Sequence, residues 1–352
     1  MSMSDFRLST PEQDFRQALD AQQAGRYDEA VQLLARAGAQ DHVMALSMLG
    51  GQLMSGRGVK PDFHAGLTLI HRAAELGGAY ALAVLATTSA WGLGGKPDWD
   101  AALDQLQRSA ELAYEPAQAQ LRILAELTGP QPPDASWASL RAAIDLDAWR
   151  SPPPAETLSE DPEIRTVSGL APISVCNWLI SRVKDRMQRA VVHTAFSSQQ
   201  IQSRVRTNSS ATFGLTDADL VVMVLRERLA AAGGVDVVAM ESPQALHYAV
   251  GEEYVRHFDF MEPDLPGNAA SLAQYGQRTA THLIYLNEGF EGGETDFPVL
   301  GLKYKGRTGD ALMFRNLTSE GAPNRRTMHA GLPPAAGEKW LLSQWVRDRP
   351  QR

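Results

Sequence analysis

Small and apolar residues recur at a fixed interval in the N-terminal part of the chain. Ala45, Ala81 and Ala117 lie 36 residues apart, as do Leu49, Leu85 and Leu121, and the polar column Arg36, Arg72 and Arg108 keeps the same step. Ala30, Gly66 and Ala102 form a small-residue column. Apolar columns follow it at Val31, Leu67 and Leu103 and at Leu34, Ile70 and Leu106. A period in the mid-thirties with helical spacing inside each copy describes stacked helix pairs. The small residues let helices approach closely. Gly56, Gly58 and Pro61, echoed by Gly92, Gly94 and Pro97, end one helix before the next begins.

That pattern stops at Gly129. Up to Glu163 the chain carries Pro130, Pro132, Pro133, Pro152, Pro153, Pro154 and Pro162, each lacking an amide donor and clashing with a preceding helical turn. Only Trp137 to Trp149 keeps helical spacing there. Next, Pro172 to Val192 reads as an amphipathic helix with Val175, Trp178, Leu179, Val183 and Met187 on one stripe. Asp217 to Ala232 reads as another, capped by Thr216. From Ala245 the apolar runs are short and β-rich: Leu246–Val250, Thr279–Leu286, Ala311–Phe314 and Trp340–Val346. The expectation is a multidomain α + α/β chain. It has a helical solenoid over 1–128, a proline-rich linker with a short helix over 129–164, and a β-sandwich or barrel with supporting helices over 165–352.

Composition narrows the function. Of 352 residues 44% are hydrophobic and 21% charged, which excludes a largely disordered chain. A net charge of −8 argues against nucleic acid or anionic membrane as partner. The single cysteine, Cys176, excludes an intrachain disulfide and a thiolate zinc cluster, and its place on a helix stripe predicts buried packing. No apolar run is long enough to span a membrane, and Met1 to Pro11 has no leader-like core, so a cytoplasmic protein is expected. There is no Gly-x-Ser-x-Gly segment and no glycine-rich phosphate loop.

The chemistry concentrates near the C-terminus. In Tyr254-Val255-Arg256-His257-Phe258-Asp259, strand alternation puts His257 and Asp259 on one face. His-x-Asp alone is weak. A third candidate, His329, follows 72 residues later, and two histidines with one carboxylate make the facial triad of non-haem Fe(II) oxygenases. Lys339 opens the strand ending at Val346; facing a barrel interior, its ammonium needs an anion.

At this point residues 165–352 resemble the catalytic domain of the prolyl 4-hydroxylase family of Fe(II)/2-oxoglutarate dioxygenases. The likeness rests on Tyr248-x-x-Gly251-x-x-Tyr254-x-x-His257-x-Asp259, Arg278 to Leu286, Glu291 to Thr295, Gly309 to Phe314, and His329-Ala330-Gly331-x-Pro333 with Gly337 to Trp340. Upstream, Arg206-Thr207-Asn208-Ser209 resembles the family's segment near the substrate groove. The repeats, with Ala73 to Gly77 and the Gly-x-Gly loop, resemble the Sel1-like branch of the tetratricopeptide family.

The resemblance implies a double-stranded β-helix (jelly roll) with Fe(II), 2-oxoglutarate and O₂, and ascorbate as a family reductant. It implies that His257, Asp259 and His329 hold the iron and that Lys339 pairs with the distal carboxylate of 2-oxoglutarate. Tyr248, Thr281 and Tyr285 match the cosubstrate pocket, Trp345 a position near iron and cosubstrate, and Tyr254 and Arg206 positions that hold a peptide substrate. The reaction implied is hydroxylation of a C–H bond, first of all on a prolyl residue of a peptide or protein, with succinate and CO₂ as coproducts. Two alternatives stay open: a silent interaction scaffold, and the same chemistry on a free amino acid or small molecule. The repeats either recruit the substrate or only pack on the chain. The family commonly has Gly-Gln-x-Tyr where this chain has Gly251-Glu252-Glu253-Tyr254, which adds negative charge near the entrance, and Arg315 follows Phe314 where the family often has an apolar or aromatic residue. Thr318 to Thr327, with Arg325 and Arg326, reads as a substrate loop of its own.

Overall fold

The computed structural model describes residues 9–93, 95–190, 192–193, 200–201 and 206–351. Gly94 of the second repeat loop and the segment before Ser9 lie outside the described residues. The chain divides into two units: residues 1–145 with 215–223, and residues 146–214 with 224–352.

The first unit is helical. In chain order it contains α1 (Pro11–Gln23), α2 (Tyr27–Gly38), α3 (Val43–Ser55), α4 (Phe63–Glu75), α5 (Ala79–Trp91), α6 (Trp99–Glu111), α7 (Glu115–Ala125) and α8 (Trp137–Ala143). α1 packs on α2, α3 on α4 and α5 on α6. The sequence columns explain the pairing. Ala30 and Ala102 are fully buried, and a Cβ added at Gly66 would lie 2.6 Å from the Gly50 carbonyl oxygen. Asp62 and Asp98, one repeat apart, cap α4 and α6 by accepting from the amides of Ala65 and Ala101. The arginine column is exposed and pairs with carboxylates: Arg36 with Asp14 and Arg72 with Asp41, both at 2.8 Å.

The second unit holds the sheets. Its strands begin with β1 (Glu156–Glu160), β2 (Glu163–Val167), β3 (Gln188–Arg189), β4 (Val192–His193), β5 (Gln200–Ile201) and β6 (Ser209–Thr212). They continue with β7 (Gln244–Tyr248), β8 (Tyr254–His257), β9 (Arg278–Tyr285), β10 (Glu291–Gly292) and β11 (Thr295–Phe297). The last are β12 (Leu302–Tyr304), β13 (Ala311–Arg315), β14 (His329–Gly331), β15 (Pro334–Ala336) and β16 (Lys339–Arg347). An antiparallel major sheet runs β1-β2-β13-β9-β16-β7-β6-β3, and a minor sheet runs β12-β11-β14-β8. Their facing apolar residues form one core with Leu246, Tyr248, Leu283, Phe297, Phe314 and Leu341. Phe297 of the minor sheet meets Phe314 of the major sheet edge to face at 5.2 Å. This is the expected jelly roll.

Local boundaries differ from the sequence expectation. The helix expected from Pro172 to Val192, here α9 (Leu146–Trp149) being followed by α10 (Ile173–Val183), ends nine residues early. Lys184, Asp185 and Arg186 beyond it are exposed, and Gln188–Arg189 instead pair with Ser209–Ser210. α11 (Leu220–Gly233) starts after Asp219, whose carboxylate accepts from the Val222 amide; the cap is therefore Asp219 and not Thr216. β1 and β2 form a hairpin that straddles residue 164, where the proline-rich stretch was expected to end.

Candidate metal and cosubstrate site

The iron-ligand candidates come together at one end of the minor sheet. β8 and β14 run antiparallel with His257 directly opposite His329, and the two rings lie 4.2 Å apart. Asp259 sits just past the end of β8 rather than on it, yet its carboxylate reaches both histidines. Oδ1 is 3.6 Å from His257 Nε2, and Oδ2 is 3.6 Å from His329 Nε2. One ligand atom from each residue lies within 4.8 Å of the others.

Hydrogen bonds settle which atoms face the shared space. His257 Nδ1 lies 2.8 Å from the Val255 carbonyl, and His329 Nδ1 lies 3.0 Å from the Thr327 carbonyl. A carbonyl only accepts, so each Nδ1 carries the proton and each Nε2 presents its lone pair. Burial and the neighbouring His329 push His257 down to about 3, so its imidazole is neutral near pH 7. Burial alone would raise the Asp259 carboxyl, but His329, His257, Arg278 and the Thr281 hydroxyl together hold it below its ordinary value. Two imidazoles that each turn Nε2 inward and one carboxylate suit a ferrous ion.

Tyr254 stacks on His257 at 3.5 Å, and the Arg206 guanidinium lies 4.7 Å over Tyr254. Both line the cavity. Arg206 is buried and donates to Asn208 Oδ1 and Gln244 Oε1, each at 3.0 Å, which fixes its plane.

The triad and Lys339 line one cavity. Tyr248, Leu246, Leu283, Leu341, Ser343 and Trp345 are among its walls. Lys339 is fully buried, and its Nζ donates to the Gly293 carbonyl at 2.6 Å. It lies 5.1 Å from the Tyr248 ring and 5.5 Å from the Tyr285 ring. No carboxylate among the described residues forms an ion pair with it. Burial therefore pushes the ammonium down to about 7, with Glu294 only partly opposing.

Two expected pocket residues are used elsewhere. Thr281 donates to Asp259 Oδ2 at 2.7 Å. The Tyr285 hydroxyl bonds Thr295 Oγ1 at 2.9 Å and the Tyr304 carbonyl at 3.0 Å. Neither lines the cavity. Sequence reasoning missed Asn316, which donates to Thr281 at 3.0 Å. It also missed Glu241, which grips Arg278 at 2.7 Å while Arg278 stacks on Trp345 at 3.9 Å.

Other expectations resolve locally. Glu252 accepts from the Ala249 amide at 2.9 Å, so its charge closes a turn. Arg315 donates to the Gly233 carbonyl at 3.1 Å. In the 318–327 segment, Arg325 pairs with Glu262 at 2.7 Å and Arg326 with Asp161 at 2.8 Å. His247 pairs with Glu338 at 2.7 Å. His282 is buried, and burial pushes it down to about 3. Cys176 is buried and its thiol is pushed up to about 12, consistent with packing.

Comparison with known proteins fits this geometry. Residues 243–347 match the family model described as the 2OG-Fe(II) oxygenase superfamily. The chain is 30% identical over 210 residues to "Probable prolyl 4-hydroxylase 3" of Arabidopsis thaliana, covering 54% of this chain and 71% of that one. It is 33% identical over 168 residues to "Prolyl 4-hydroxylase subunit alpha-1" of Rattus norvegicus, covering 48% and 31%. Among solved structures, the viral collagen prolyl hydroxylase vCPH from Paramecium Bursaria Chlorella virus-1 matches at 26% identity and a TM-score of 0.40, over 52% of this chain and 94% of that one. A Sel1 repeat protein from Oxalobacter formigenes matches at 23% identity and a TM-score of 0.33, over 42% and 64%. The site and the family model define a 2-oxoglutarate- and Fe(II)-dependent dioxygenase. Within that class, the chain belongs to the prolyl 4-hydroxylase family.

Proposed function

We propose that this protein hydroxylates a prolyl residue in a peptide or protein and converts 2-oxoglutarate and O₂ to succinate and CO₂. The observation that carries the reading is the buried ammonium of Lys339, which pairs with no carboxylate among the described residues, in the same cavity as the His257–Asp259–His329 triad. A divalent ion partly neutralised by Asp259 leaves positive charge at one end, and Lys339 places positive charge at the other. A dicarboxylate neutralises both.

Ferrous iron held by the triad would supply the activation of O₂. The chain supplies placement. Lys339 anchors the distal carboxylate and so fixes the cosubstrate at two separated points. Tyr248 is pushed well above its ordinary value by burial, so its hydroxyl stays protonated and able to donate. Leu246, Leu283 and Leu341 keep water from the cavity, and Tyr254 covers the His257 ring. Arg206 and Tyr254 both line the cavity and are where a peptide would lie.

Among the described residues no helix is long and apolar enough to cross a membrane. The repeats are the candidate recruiting surface. Succinate release from the purified chain with Fe(II), 2-oxoglutarate and a peptide library tests the reading. Proline-dependent turnover supports it; turnover confined to free amino acids, or none with any peptide, counts against it.

A further inference from the structure

We propose that Asn316 is a positioning residue which, through Thr281, makes Asp259 a metal ligand by one oxygen only. The relay is fully buried: Asn316 and Thr281 are both 0% exposed and Asp259 is 6% exposed. An ionised carboxylate only accepts, so the single Thr281 hydroxyl hydrogen goes to Asp259 Oδ2, at 2.7 Å. Thr281 Oγ1 can then only accept from Asn316, whose Nδ2 donates at 3.0 Å. That direction also orients the Asn316 amide, and its Oδ1 is left buried with no partner among the described residues. An unpaired buried carbonyl is unfavourable, so the amide is better explained by the bond it donates than by packing.

The backbone holds Asn316 in place. Its amide donates to the Thr279 carbonyl at 2.8 Å, and its carbonyl accepts from Asn324 at 3.0 Å. Loss of the side chain therefore leaves these two tethers intact.

The two carboxylate oxygens are otherwise equivalent, each 3.6 Å from one histidine Nε2. Without the relay nothing would fix the plane of the carboxylate, and neither oxygen would be held toward the ion. With Oδ2 occupied by Thr281, Oδ1 is the donor oxygen.

This inference rests on the metal-centre reading, and the test separates the two. Co(II) binding to the metal-free full chain is measured by calorimetry and by Co(II) absorption for wild type, Thr281→Val, Thr281→Ser, Asn316→Ala and the Val/Ala double variant. Thr281→Val should weaken Co(II) by roughly 10- to 100-fold, with Thr281→Ser restoring it. Asn316→Ala should weaken it by about 3- to 10-fold, the scale of one neutral hydrogen bond, and alter the Co(II) spectrum in the same sense. In the Thr281→Val background Asn316→Ala should add nothing, because its path is already cut. Asn316→Leu keeps the volume if the alanine variant folds poorly. Multiplying losses in the double variant, or wild-type affinity in Thr281→Val, overturns the relay. Absence of Co(II) binding in the wild type overturns the metal centre itself.

Discussion

At the triad end of the cavity each ligand side chain is held by another group. Val255 and Thr327 carbonyls orient the two imidazoles, and Thr281, itself held by Asn316, orients the carboxylate. At the Lys339 end the ammonium meets one carbonyl and two aromatic faces, and no carboxylate among the described residues pairs with it. The first end is organised before anything binds, so little ordering is left for the metal to impose. The second end carries charge that its own surroundings do not compensate, and only an anionic ligand can. One cavity thus combines a rigid metal seat with an electrostatic demand, and the two ends should fail differently when damaged.

Damage to the metal end should be the most severe. Asp259→Ala or His257→Ala is expected to lower turnover by about a thousandfold or more and to abolish tight metal binding, measured by calorimetry. Damage to the other end should spare the metal. Lys339→Ala is expected to raise the 2-oxoglutarate KM by about 100-fold, on the scale of a severed buried charge pair, with metal affinity nearly unchanged. Equal loss of metal binding in both variants would erase the contrast.

A pH series probes the uncompensated charge more gently. Lys339 sits at about 7 in the folded chain against an ordinary 10.5. Between those values the unfolded chain holds a proton that the folded cavity does not, so ligand-free stability should rise with pH across that window. A bound dicarboxylate restores the ammonium, so binding takes up a proton above pH 7. The 2-oxoglutarate affinity should therefore fall as pH rises above about 7, by up to ~10-fold per unit, and be flat just below. Titration calorimetry in buffers of different ionisation enthalpy would report the proton uptake. The smallest effect expected is at Gly293, which has φ +69°. A Cβ there meets the Phe290 ring at 2.9 Å and nears the Lys339 stem at 3.5 Å. Gly293→Ala should lower stability by about 1–3 kcal/mol and raise the 2-oxoglutarate KM a few-fold, with unchanged metal affinity.

The small and apolar repeat columns were legible because they report packing between helices close in sequence; Ala45, Ala81 and Ala117 are all fully buried. The triad was legible by residue type, although the argument from strand alternation was not how it forms: Asp259 lies in a bend after β8. Thr281, Leu283 and Tyr285 share one strand face, so the pattern alone could not separate them. Only Leu283 lines the cavity, because the other two hydroxyls are within reach of Asp259 and Thr295. Asn316 was invisible for a related reason. Its position follows from the β13–β9 register, with Arg315 opposite Ala280, and no local motif encodes that register. Asp219 displaced Thr216 as the α11 cap because the helix begins three residues later than its apolar periodicity indicated.

On this reading one cavity serves a metal and a dicarboxylate together. Calorimetric titration of 2-oxoglutarate into the full chain under anaerobic conditions, with and without Fe(II), and into Lys339→Ala tests this most directly. One cosubstrate per chain, tight only with both the metal and Lys339 present, is the predicted result. Equal affinity in the metal-free protein or in Lys339→Ala would contradict it.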